Sequence, residues 1–175
     1  MKLPTLLTLA SAALHVYATP AGPSSHEAIA APLYAFYRAL DLKSAPLLLL
    51  STTEDLVFDG TAFASIGIGA PVPLVGQDVI VPSLLSSLKM TTMHNLANVQ
   101  VEEVGGGGEG RANVTAYVLA YHHKELFKPS SNTGNVYLMG NLAAAGVVRK
   151  EGGWKVEKLT LIPFFQSGNK VVMGL

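Results

Sequence analysis

Apolar positions in the first third of the chain recur with a helical period. Leu33, Phe36, Tyr37 and Leu40 fall on one face of a helix, Ser24 or Ser25 can cap it, and His26 and Glu27 occupy its first turn. Pro32 lies inside the pattern. It lacks an amide hydrogen and crowds the preceding turn, which predicts a kink or a second helical segment starting there. "SAPLLLLSTT" (44–53) reads as a short buried helix with Pro46 near its start, and "LVFDG" (56–60) as a short strand whose Asp59 caps a turn beside Gly60. "GQDVIVPSLLSSL" (76–88) is a third helix candidate, interrupted at Pro82.

After residue 89 the period changes from helical to alternating. Four long β-rich runs follow, at 90–104, 111–127, 135–150 and 153–165. Gly105–Gly108, "KPSSNTG" and "KEGG" separate them. Helices first and an antiparallel meander afterwards make an α+β layout. A long twisted sheet with helices on one face curls around them and encloses a cavity fit for a small ligand. In the second strand Ala112, Val114, Ala116, Val118, Ala120 and His122 share one face, and Asn113, Thr115, Tyr117, Leu119, Tyr121 and His123 the other. Asn113-Val114-Thr115 is a glycosylation sequon. A sugar there turns its face outward and sends His122 into the cavity.

Composition narrows the picture. "MKLPTLLTLASAALHVYA" has the form of a secretory signal peptide (1–18), too short an apolar run to span a membrane. A flexible segment (19–27), one domain (28–166) and a C-terminal tail (167–175) follow. Twelve basic residues balance twelve acidic ones without clustering, which argues against nucleic acid and against a membrane once the leader is removed. The chain has no cysteine, so a secreted protein of this kind is held by packing alone, and thiol catalysis is excluded. There is no glycine-rich phosphate loop, serine elbow or HExxH, and we expect neither cofactor nor metal.

One residue stands apart. His94 heads the run "TMHNLANVQVEE" and fits neither its apolar nor its charged set. The stretches "FYRALDLKSAPLLLLSTTEDLVFDGTAF", "TMHNLANVQVEE", "AYVLAYHH" and "GNLAAAGVVRKEGGWKVEKLTLIPFF" follow one another in a familiar order. The chain resembles the SnoaL-like branch of the nuclear-transport-factor-2-like superfamily, in particular scytalone dehydratase and its fungal relatives, over roughly residues 28–166. The resemblance implies a cone-shaped α+β barrel, with N-terminal helices packed in a curved antiparallel sheet. It also implies catalytic roles for Asp41, His94 and His122, with His123 the alternative to His122. The tyrosines that help polarise the substrate carbonyl in that family align with Leu40 and Gly60 here, and its later serine and asparagine fall near Asn141 and Ala144.

A carboxylate beside an imidazole fixes its tautomer and stabilises its charged form, so the pair can take a proton from carbon next to a carbonyl. Asn141, Asn98 and Tyr37 are the candidate substrate contacts, against turn or bulge roles for the asparagines and helix core for Tyr37. Two functions compete. One is a cofactor-independent lyase, isomerase or cyclase acting on a small apolar carbonyl compound; the other is a secreted binding module that has lost turnover. A metal site built from Asp41, His94 and His122 is a third, weaker reading. By analogy, the exposed sheet face around Tyr117, Leu119 and Tyr121 would suit a homodimer.

Overall fold

The structure is a computed structural model and describes residues 25–104, 110–124 and 133–174. The signal-peptide reading, the Gly105–Gly108 turn and most of "KPSSNTG" lie outside the described residues.

Helix α1 runs unbroken from Ser25 to Leu42 with Pro32 inside it. No second segment begins at the proline. A proline in a helix interior costs about 3 kcal/mol. Ile29, Leu33, Phe36, Tyr37 and Leu40 are all buried along one face, each contributing about 2 kcal/mol, and together they outweigh that cost. The helix starts at Ser25, so the last three residues of the segment expected to be flexible are helical. It ends on Lys43, held at φ 54. The amide of Lys43 donates to Leu40 (3.3 Å) and that of Ser44 to Ala39 (2.9 Å), a helix stop usually made with glycine.

Helix α2 (Ala45–Ser51) is capped by Ser44, whose Oγ accepts from the Leu47 amide at 3.3 Å. It is not the wholly buried helix its leucines suggested. Leu48 is buried, but Leu50 is 70% exposed, because a two-turn surface helix has only one face to bury. Strand β1 (Thr52–Asp59) starts earlier than expected. Asp59 then caps the 3-10 turn Thr61–Ile66, accepting from the Thr61 amide at 3.1 Å and its hydroxyl at 2.7 Å. A two-residue β2 (Leu74–Val75) leads into α3 (Gln77–Ser87), which continues through Pro82 rather than breaking there.

The four long strands are β3 (Thr91–Val104), β4 (Arg111–His123), β5 (Val136–Lys150) and β6 (Gly153–Gly168). They form the expected antiparallel meander within a six-stranded sheet ordered β2-β1-β6-β5-β4-β3. The sheet is mixed, not purely antiparallel: β1 lies parallel to β6, with Val57 opposite Lys158 and Phe58 opposite Leu159. The intervening elements form a crossover that brings β6 alongside β1 in the same direction. Helix α1 touches all four long strands, so the sheet wraps around it as a cone-shaped α+β fold.

Two local features aim side chains inward. Strand β4 alternates strictly, with its even-numbered residues buried from Ala112 to His122. Strand β3 does not. Ala97 pairs with Tyr117 and Gln100 with Thr115, so one extra residue is accommodated, and Asn98 takes φ 50. Asparagine tolerates this left-handed conformation. The bulge switches parity, putting His94 and Leu96 on the same inner face as Val99 and Val101. The C-terminal residues do not trail as a tail. Beyond Gly168 a turn at Lys170–Met173 packs back, burying Val172, and Lys170 Nζ donates to the Ile66 carbonyl at 2.8 Å.

Candidate active site

Asp41 stands in the last turn of α1 and His94 near the start of β3, and the fold brings them together across 53 residues of sequence. Asp41 Oδ1 is 2.6 Å from His94 Nδ1, and Asp41 Oδ2 accepts from the His94 backbone amide at 3.0 Å. Thr92, two residues before His94 and on the same strand face, donates its hydroxyl to Asp41 Oδ1 at 2.8 Å. Lys43 Nζ donates to Thr92 Oγ1 at 2.9 Å. Burial alone would raise the Asp41 carboxyl. The hydrogen bond and charge of His94, its amide and the Thr92 hydroxyl outweigh burial and hold the group below the usual carboxylate range. A charged carboxylate only accepts, so Nδ1 of His94 carries its hydrogen and Nε2 keeps a lone pair.

His94 lines a cavity of about 460 Å³ between the helices and the sheet. It also borders a second recess beside Tyr34 and Arg38, and Asp41 lines only that recess. The cavity walls are mostly apolar, with Phe36, Leu40, Phe58, Phe63, Leu161 and Met173 among them. Polar groups are few. His122, buried on β4, has Nδ1 3.3 Å from the Tyr137 carbonyl. A carbonyl only accepts, so this nitrogen also carries the hydrogen, and His122 Nε2 is an acceptor. Its ring stands edge-on to that of His94 at 6.1 Å. Burial first, then the neighbouring His94, pull its pKa down to about 4; the Tyr137 carbonyl opposes them, and the effects of Lys43, lowering, and Asp41, raising, are smaller still. His122 is therefore neutral at pH 7.

Tyr37 and Asn141 join them, and Ser83 and Ser87 of α3 also line the cavity. The Tyr37 ring lies 5.1 Å from His94, and its buried hydroxyl has no protein partner. Burial raises its pKa above the ordinary phenol range, so it stays a donor. Asn141 sits inward on β5 opposite Val118, with its Oδ1 likewise unpartnered. Leaving such a group unmade costs about 1–3 kcal/mol.

The structure thus gathers Asp41, His94, His122, Tyr37 and Asn141. It does not gather Asn98, which is exposed at the β3 bulge, as the competing reading had it. His123 lies on the opposite face of β4 from His122. Leu40 and Gly60 line the cavity, so the positions aligned with the family's tyrosines face the site without a hydroxyl, while Ala144 points outward. Asn113 is exposed on the outer face of β4. Among the described residues no group of three His, Asp or Glu side chains is arranged to hold a metal ion. Asp41 lies behind His94, away from the cavity face that His122 shares. Thr92 and Lys43 were missed in the sequence. The two-residue offset of Thr92 from His94 was its one signal.

A family model described as a SnoaL-like domain matches residues 24–160. The chain belongs to the SnoaL-like family. No curated protein matches it. Solved structures share the SnoaL-like fold at low identity. The Kfla4162 protein of Kribbella flavida is 19% identical with a TM-score of 0.68, over 85% of this chain and 95% of that one. A candidate scytalone dehydratase of Novosphingobium aromaticivorans is 20% identical with a TM-score of 0.62, over 81% and 85%. Hexachlorocyclohexane dehydrochlorinase LinA-type3 of Novosphingobium barchaimii is 17% identical with a TM-score of 0.62, over 82% and 89%.

Proposed function

We propose that this SnoaL-like protein is a cofactor-independent enzyme that moves a proton on a small, mostly apolar carbonyl compound. The observation that carries the reading is the Asp41–His94 pair, closed at 2.6 Å, with the His94 ring lining a largely apolar cavity. His94 is the general base. It takes a proton from carbon at Nε2, and Asp41 stabilises the imidazolium through Nδ1. Both side chains are at least partly buried, which makes that coupling stronger than between fully exposed groups. The Tyr37 hydroxyl donates to the carbonyl oxygen, where negative charge develops as the proton leaves. His122 and Asn141 receive hydroxyl donors of the substrate.

A second histidine could serve as the acid for a departing oxygen, but His122, held neutral with its only N–H on Tyr137, is poorly suited to that role. His94 then returns the proton itself, which favours isomerisation, or an elimination run on one base, over two-histidine dehydration. Two of the similar structures are a candidate scytalone dehydratase and a hexachlorocyclohexane dehydrochlorinase, named for loss of water and of hydrogen chloride. The same observation on His122 supports a second reading, a binding protein of this fold without turnover.

The deciding experiment incubates the protein with a panel of cyclic ketones and hydroxy-ketones in D2O and follows exchange of the protons beside the carbonyl by NMR. Exchange that His94→Ala abolishes supports catalysis. Ligand binding with no exchange above buffer leaves the binding reading.

Two further readings belong to the same proposal. The protein is secreted, with sugar on Asn113; enzymatic deglycosylation of protein from a eukaryotic secretory host should lower its mass at that residue. A second copy covers the outer sheet face, where Tyr117 and Phe164 stack edge-on at 5.8 Å and are 49% and 62% exposed. Light scattering on Tyr117→Lys should then report a monomer.

A further inference from the structure

Among the described residues, only Lys43 and Asn98 hold a left-handed backbone without being glycine. Asn98 has a local reason, since its side chain tolerates that conformation at a bulge. Lys43 has none. It fills the position that ends α1, where glycine is unstrained and lysine is not. Its side chain reaches across to β3 and donates to Thr92 Oγ1 at 2.9 Å. Thr92 has one hydroxyl hydrogen. With its oxygen accepting from Lys43, that hydrogen is directed to Asp41 Oδ1 at 2.8 Å. Asp41 then holds three bonds: the Thr92 hydroxyl and His94 Nδ1–H on Oδ1, and the His94 amide on Oδ2. The carboxylate is pinned against the ring it orients.

We propose that Lys43 is a positioning residue: its strained backbone buys a fixed ammonium that orients Thr92, and through Thr92 locks Asp41 against His94. The proposal rests on the Asp41–His94 pair being the working pair. Lys43 does not itself line the cavity, so its ammonium acts through Thr92 and not on a ligand. Other titratable groups face the pair as well: Tyr34, Tyr37 and Arg38 from α1, and His122 from β4. None of them has a hydrogen bond to Asp41.

The test reads the bond itself and needs no substrate. The His94 Nδ1–H proton, held at 2.6 Å by a carboxylate, should give a far-downfield NMR resonance that exchanges slowly with water. Lys43→Gly relieves the backbone and should leave the thermal midpoint unchanged or raise it, while that proton exchanges about tenfold faster, as expected for loss of one charge-assisted bond. Lys43→Asn, which tolerates the same backbone but is too short to reach Thr92, should behave alike. Lys43→Arg should restore the slow proton. Thr92→Val should match Lys43→Gly, and the double variant should go no further than Thr92→Val alone. An unchanged resonance in Lys43→Gly and Lys43→Asn overturns the proposal. So does a fall in thermal midpoint in both variants, which would make Lys43 a fold residue, and so do additive losses in the double variant. Absence of ketone proton exchange in the wild type would instead sink the catalytic reading and leave this bond measurement standing.

Discussion

The two sides of the cavity carry the same residue type and prepare it for different work. On the α1–β3 side, His94 is backed by a carboxylate that keeps some contact with water, with the Asp41 side chain 24% exposed and that of His94 6%. On the β4–β5 side, His122 is backed by a backbone carbonyl, among apolar residues. Both imidazoles line the cavity. Only the first has a negative charge behind its ring to stabilise an added proton. The difference teaches that an imidazole's role is set by the group holding its other nitrogen. Both histidines are strand residues on an inner face, and neither periodicity nor spacing separates them.

The comparison breaks most visibly at the base. His94→Ala should lower turnover of any accepted ketone by about 10³–10⁴-fold, and Asp41→Asn by about 10²-fold, with kcat falling more than KM rises. His122→Gln should act mainly on KM. If His122→Gln costs kcat as much as His94→Ala does, the two sides are not different in kind.

Acid sharpens the contrast next. The unfolded chain protonates this histidine below pH 6.5, and the fold resists until about 4. His122 therefore leaves stability untouched above pH 6.5 and lowers it as the pH falls through that window, by about 3 kcal/mol at its end. Asp41, held below its ordinary range, adds a loss of the same sign at still lower pH, where it must be protonated. Urea unfolding at pH 7 and pH 4.5 should show a steep fall for the wild type and a shallower one for His122→Gln. Equal slopes would refute the assignment.

Tyr37 offers a smaller effect of opposite sign in fold and function. Its hydroxyl is buried with no protein partner, so Tyr37→Phe should stabilise the empty protein by about 1 kcal/mol and weaken a ketone ligand by about tenfold. The same variant should leave binding of the matching hydrocarbon alone. Calorimetry with the ketone and hydrocarbon pair measures both. The smallest effect belongs to Asn98→Gly, which keeps the left-handed backbone. It should change stability by less than about 0.5 kcal/mol and leave turnover as it was. A large loss of turnover would return Asn98 to the site.

Much of the architecture was legible in the chain. The switch from helical to alternating period placed the three helices before the long strands, and the alternation of β4 sent His122 in and Asn113 out. Those features depend on neighbours a few residues apart, and the pattern of apolar side chains records them directly. Prolines misled, because Pro32 and Pro82 state a local penalty while burial of a whole helix face decides the outcome. The C-terminal turn was missed because the apolar run Val171–Met173 is too short to show a period and the partners of Val172 and Met173 lie far away in sequence.

By itself the sequence determined the order of elements, the candidate residues and which of them share a strand face over short stretches. Only the tertiary structure decided which candidates meet. Strict alternation puts His94 opposite Val99 and Val101, and the bulge at Asn98 brings them to one face. Asp41, Lys43, Thr92 and His94 become one chain of hydrogen bonds only because the sheet closes around α1. A left-handed lysine leaves no mark on hydrophobic periodicity, and its contact with Thr92 spans 49 residues; the bulge belongs to the pairing of β3 with β4, and both exist only once the whole sheet has its register.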